Sequence, residues 1–158
     1  MSWKPDVTVA AIVERDGRFL VVEERAAGRV VLNQPAGHLE DGESFEAAVV
    51  RETLEETAWH FQPTAIVGVY LWRPEGGARS FLRVAYAGLL LGHEAQRPLD
   101  RGILRTRWMS AAELGASPRL RSPLVMRGVE DYLAGRRHPL ELIHCMVEDQ
   151  GTSLAIGG

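Results

Sequence analysis

A second cysteine is missing from this 158-residue chain, so Cys145 has no internal partner for a disulfide. That usage fits a reducing compartment. No apolar run approaches the roughly 20 residues that a membrane span needs. The opening MSWKPDVTVAAIVERDG lacks the basic segment, apolar run and small-residue cleavage site of a secretory leader. Net positive charge is missing as well. A formal charge of -3 argues against a generic binder of nucleic acid or acidic membrane. Internal repeats and low-complexity blocks are also lacking. The expectation is a cytoplasmic protein with no stable nucleic-acid partner and no membrane partner. The sequence does not fix its oligomeric state.

What remains is ordinary globular material. With 46% hydrophobic residues, the chain is long enough for one domain with a real core. Residues 6–13 and 18–25 are rich in apolar and β-branched side chains, and Asp16-Gly17 between them is a hairpin signal. Residues 31–37, VLNQPAG, read as a short strand running into a turn. Residues 64–72 and 79–91 read as an antiparallel pair joined through Pro74, Gly76 and Gly77, and 103–109 as one more strand. Three helices are expected. The first spans about Ser44 to Ala58 with Ser44 as N-cap. A short one begins at Ser110, with Glu113 completing a capping box. The third starts at Ser122-Pro123 and stops near Gly135. These elements show no βαβ rhythm. They predict an α/β fold, a mixed sheet flanked by helices in a single domain.

Charge is unevenly distributed. Residues 40–56 hold seven acids (Glu40, Asp41, Glu43, Glu46, Glu52, Glu55 and Glu56) against Arg51 alone, whereas residues 97–137 are rich in Arg. The stretch RETLEET, residues 51–57, is the densest part. At about 100° per residue, Phe45, Ala48, Val49 and Glu56 fall within about 60° of Glu52 on the helix wheel, and Glu55 borders that stripe. A second apolar stripe of Ala47, Val50 and Leu54 lies opposite, which predicts a helix covered on two faces. Like charges at i,i+3 and i,i+4 cost a few tenths of a kcal/mol each, and the C-terminal half of a helix disfavours anions further. A hard divalent cation would offset this repulsion, since Mg²⁺ takes carboxylate, carbonyl and phosphate oxygens. On its own, though, the run reads more readily as a solvated, salt-bridged face.

The wider spacing changes that balance. In GHLEDGESFEAAVVRETLEETAW, residues 37–59, Gly37 is followed after five residues by Glu43, after seven more by Arg51-Glu52, then by Glu55-Glu56. This resembles the Nudix box, G-x5-E-x7-R-E-U-x-E-E-x-G-U, where U is bulky and apolar. Thr53 departs from the first U position and Ala58 stands where the pattern has Gly; Trp59 fills the last U. NQPAGHLE, RSPLV and YLAGRRHPLELI are similar in particular to NudJ-type phosphatases of that family, and the likeness covers residues 3–143. It implies a Nudix α/β/α sandwich over residues 3–145, with 146–158 as a flexible C-terminal tail.

The resemblance also implies divalent-metal hydrolysis of a phosphoanhydride, with Mg²⁺, or Mn²⁺ in its place, as cofactor and a small phosphorylated molecule as substrate. Glu52, Glu55, Glu56 and the Gly37 carbonyl become the expected metal ligands. Arg51 is expected to orient the glutamates and Glu43 to support Arg51 or the loop. The general base is expected at Glu52 or Glu55, with Asp100 in RPLDRGI as the candidate from a later loop. Substrate contacts are expected from His38, next to Gly37, and from Arg121 in RSPLV. Arg121 is the one singled out from the Arg119, Arg121, Arg136, Arg137 and His138 cluster around the third helix. Trp72, Tyr70 and Phe81 are strand aromatics of which one is available to stack on a base, although such residues more often fill a core. Nucleoside tri- and diphosphates and small organic diphosphates, such as thiamine-type pyrimidine diphosphates, are the implied substrates. The alternatives are an ADP-ribose or nucleotide-sugar pyrophosphatase and a non-catalytic nucleotide-sensing module on the same scaffold.

Overall fold

The computed structural model describes residues 2–146; the expected flexible tail lies outside the described residues apart from Met146. Alternation along the central strands builds two core layers. In β1 (Asp6–Ile12) and just beyond it, Val9, Ala11 and Val13 point to one side and Ile12 to the other. In β7 (Phe81–His93), Val84 and Tyr86 oppose Ala85 and Ala87. In β3 (Arg18–Ala26), Leu20 opposes Phe19 and Val21. Strands buried on both faces read as near-continuous apolar runs, as residues 9–13 and 19–22 do.

One sheet is mixed, in the order β5 (Ala36–His38), β1, β7, β6 (Trp59–Trp72), with β1 and β7 parallel and the outer pairs antiparallel. In the other sheet β3 pairs antiparallel with β2 (Glu14–Arg15), β4 (Arg29–Asn33) and β8 (Ile103–Ser110). Helix α1 (Phe45–Thr57) packs its Ala48 and Val49 into the first core layer. Helix α3 (Leu124–Leu133) packs Val129 into the second, next to Leu114 of the short α2 (Ala111–Ala116). A single 3-10 turn at Leu140–Leu142 follows. None of the described helices is long and apolar enough to cross a membrane.

The serine caps follow the sequence signals, but the Glu113 carboxylate pairs with Arg18 at 3.0 Å instead of completing the capping box. Ser44 Oγ accepts from Ala47 N–H at 3.0 Å and Ser110 Oγ from Glu113 N–H at 3.1 Å. Pro123 already has helical angles, and Ser122 Oγ accepts from Leu124 N–H at 3.2 Å. Three features differ from expectation. A turn at Ala27-Gly28, both with positive φ, starts β4 two residues before Val31. Strand β6 begins at Trp59, directly after the helix, because Ala58 takes a left-handed conformation (φ 61°) that turns the chain at once. Pro63 is accommodated in β6 because that strand is at the sheet edge, beside a register shift. Finally, α1 is fully covered on one face only. Ala47 is exposed and Val50 and Leu54 are half-buried, whereas Ala48, Val49, Glu52, Thr53, Glu56 and Thr57 are buried. The two threonines fit that dry face because their hydroxyls donate back to Val49 and Thr53 carbonyls at 2.7 and 2.6 Å.

Candidate metal and substrate site

Strand β5 and the buried face of α1 meet where the acids lie. Arg51 ties the two together. Its Nε and Nη2 bind Glu43 Oε2 and Oε1 at 3.0 and 2.7 Å, a two-pronged pair. Nη2 also donates to the His38 carbonyl at 3.0 Å, and Nη1 donates to Glu52 Oε1 at 2.8 Å and to Glu55 Oε2 at 3.2 Å. Glu43 in turn accepts from Glu40 N–H at 2.8 Å, closing the loop between β5 and α1. The Glu43 contact is the main reason the Arg51 pKa is raised, and Arg51 in turn holds the Glu43 carboxyl below its usual range.

Glu52, Glu55 and Asp100 form the convergent group, with one carboxylate oxygen from each lying within 4.8 Å of the others. Asp100 reaches it because its backbone N–H donates to the Glu55 carbonyl at 2.9 Å, docking the loop before β8 on the end of α1. Glu52 sits against Gly37 so closely that a Cβ on Gly37 would fall inside the Glu52 carboxylate. Only glycine allows that approach. Glu56 stands apart from the trio. It is 7% exposed and its Oε1 accepts from Ala36 N–H at 2.8 Å. Burial pushes its carboxyl up to about 9, the Ala36 hydrogen bond opposes that, and Glu24, Glu52 and Asp100 add like charge. Burial also raises Glu52, against the opposing pull of Arg51.

These donors suit a hard divalent cation. They are all oxygens, they are short of positive charge once Arg51 is spent on four carboxylates and a carbonyl, and the burial of Glu52 and Glu56 makes the repulsion expensive. The acidic cluster could therefore hold a divalent metal.

An open cleft of about 190 Å³ adjoins this cluster through Ala36 and Gly37. His38 and Arg121 both line it, together with Thr8, Glu24, Asn33, Trp72, Phe81, Arg83, Ser122 and Leu124. His38 is exposed and lies 3.8 Å from Asp6; Arg121 lies 3.7 Å from Glu24. Trp72 and Phe81 stack on each other at 5.7 Å. The rest of the basic cluster around α3 goes elsewhere. Arg119 joins Arg105 and Arg107 on Glu23, Arg136 binds Asp131, Arg137 lies over the Tyr132 ring, and His138 pairs by backbone with Ile66. Tyr70 donates to Asp131 at 2.8 Å, so it ties β6 to α3 rather than lining the cleft. Arg83 escaped the sequence reading. Its signal was a lone charge inside the otherwise apolar FLRVAYAGLLL.

Comparison with known proteins agrees with this architecture. A family model described as the NUDIX domain matches residues 3–127. The chain is 42% identical over 142 residues to the phosphatase NudJ of Escherichia coli K12, covering 89% of this chain and 92% of that protein. The same figures hold for the phosphatase NudJ of Shigella flexneri. Among solved structures, a NUDIX hydrolase from Nitrosomonas europaea superposes with a TM-score of 0.87 at 44% identity, covering 90% of this chain and 97% of that one. A matched domain over most of the chain, this identity and this shared fold show that the chain belongs to the Nudix hydrolase family.

Proposed function

We propose that this chain is a Mg²⁺-dependent phosphoanhydride hydrolase acting on nucleoside tri- or diphosphates or on small organic diphosphates such as thiamine-type pyrimidine diphosphates. The observation that carries the reading is the convergence of Glu52, Glu55 and Asp100 beside an open cleft. The 42% identity to proteins named as phosphatases supports loss of a phosphate rather than some other Nudix reaction.

Glu52 and Glu55, with the carbonyl of Gly37 and with Glu56, would hold the cation. A bound Mg²⁺ supplies charge neutralisation for the diphosphate and a fixed position for the attacking water. The chain's own residues do the rest. Arg51 fixes the rotamers of Glu52 and Glu55 by direct hydrogen bonds, with Glu43 bracing it from the other side. A carboxylate of the trio then takes the proton from water. Glu52 and Glu55 are the first candidates for that role, and Asp100 is placed to share it, close to the same oxygens. His38 and Arg121 line the route by which a phosphorylated substrate enters.

The test is a product analysis with Mg²⁺ or Mn²⁺ across nucleoside tri- and diphosphates, thiamine-type diphosphates and ADP-ribose. Orthophosphate from a diphosphate is the expected result. AMP from ADP-ribose without orthophosphate would replace this reading with the pyrophosphatase one. Tight binding with no turnover would make the protein a sensing module.

A further inference from the structure

The cleft contains a cation that the carboxylate cluster does not account for. Arg83 lies on β7 at the cleft wall and is 7% exposed. Its Nη1 donates to Gln34 Oε1 at 3.2 Å and its Nη2 to Asn33 Oδ1 at 3.4 Å, while its buried Nε has no partner among the described residues. Both contacts are to neutral amide oxygens. Among the described residues no carboxylate pairs with it; Glu24 and Glu56 act on it only through space.

Other strongly held charges in this protein are treated differently. Buried Glu23 binds Arg105 and Arg107 directly, and buried Asp131 binds Arg127 and Arg136. An arginine kept for structure alone would be expected to have such a partner, since a buried charge without a counter-charge is costly. Arg83 is also preset. Gln34, which orients it, is itself locked by donating from Nε2 to the Val125 carbonyl at 2.8 Å. Arg121 brings a second guanidinium to the same cleft, half-exposed and 3.7 Å from Glu24, where the two cations repel. The hydroxyl-bearing Thr8 and Ser122 line the space as well.

We propose that Arg83 and Arg121 form a receptor for an oxyanion, a phosphoryl group, on the cleft side of Gly37. The receptor rests on the cleft geometry; the choice of a phosphoryl group among oxyanions rests on the hydrolase reading above. An oxyanion there would give Arg83 the direct counter-charge it lacks, which neutral amides cannot supply and Glu24 supplies only through space. It would bind without any metal, because its partners are side chains outside the acidic trio.

The test is calorimetric titration of orthophosphate into the full chain in excess EDTA, with sulfate as competitor. The wild type is expected to show saturable binding that sulfate displaces. Arg83→Gln should bind roughly 10- to 100-fold more weakly, the loss expected when a charge-assisted donor pair is removed. Arg121→Gln should also bind more weakly, and Arg105→Gln, on the Glu23 cluster away from the cleft, should match the wild type. Absence of saturable binding by the wild type, or unchanged affinity in a natively folded Arg83→Gln, overturns the proposal. Should Arg83→Gln fail to fold by circular dichroism, Arg121→Gln decides, and unchanged affinity there overturns it equally. Hydrolysis does not enter this readout. Loss of turnover with phosphate binding intact counts against the hydrolase function alone, and turnover without metal-free phosphate binding counts against the receptor alone.

Discussion

Glu56 concentrates the energetic problem at the scale of single residues. Its folded pKa, about 9, lies above the ordinary value of 4.5, so the native state binds a proton that the unfolded chain releases. Between those two values the native state holds more protons than the unfolded one. Metal-free stability therefore falls as pH rises through that window. Melting curves in EDTA from about pH 5 to pH 8 should show a declining melting temperature, and Glu56→Gln should flatten that decline. The same variant should lose catalysis by roughly 10- to 100-fold, as for loss of a group that helps to hold and orient a metal, with its circular dichroism unchanged. Wild-type turnover by Glu56→Gln at limiting Mg²⁺ would remove it from the ligand set. Gly37 makes a second single-residue case. Gly37→Ala should displace the Glu52 carboxylate, because the new methyl has nowhere else to go. Weakened metal affinity with a melting temperature near that of wild type would separate this effect from global damage.

Helix α1 states the problem at the scale of the element. Its spacing already placed Glu52 and Glu56 on one stripe, and the structure buries that stripe. The sequence could not show that the opposite stripe is only partly covered: Ala47, Val50 and Leu54 are apolar, yet Ala47 is exposed and the other two are half-buried, whereas Ala48 and Val49 sit in the core. Capping was readable from Ser44 and Ser110 because cap chemistry is local. Ala58 shows the reverse. It keeps the left-handed turn that the family's glycine would give, at the expense of a Cβ in a disfavoured region. Ala58→Gly should stabilise the protein by about 1 kcal/mol in urea unfolding. A destabilised Ala58→Gly would mean that packing of the methyl outweighs its strain. Arg51→Lys should go the other way, losing about 1–3 kcal/mol together with activity, because an ammonium cannot serve Glu43, Glu52 and Glu55 at once.

The whole molecule joins segments that local pattern cannot connect. The parallel pairing of β1 with β7 aligns Val9 with Val84, and no turn signal records it. The approach of Asp100 to Glu52 and Glu55 depends on a loop docking onto the helix end, so Asp100 was legible as a candidate but its place beside the two glutamates was not. Arg83 was hidden for the same reason, since its meaning comes from Asn33 and Gln34 about fifty residues earlier. The fixed spacing from Gly37 to Glu56 was legible because one loop and one helix carry it almost whole. On the proposed hydrolase reading, these carboxylates tolerate their mutual repulsion because a cation binds among them. Calorimetric titration of Mg²⁺ into the metal-stripped wild type and into Glu52→Gln at pH 8 tests it most directly. Saturable binding by the wild type, with a rise in melting temperature, and its loss in Glu52→Gln are the expected results. Equal Mg²⁺ affinity in the two proteins would contradict it.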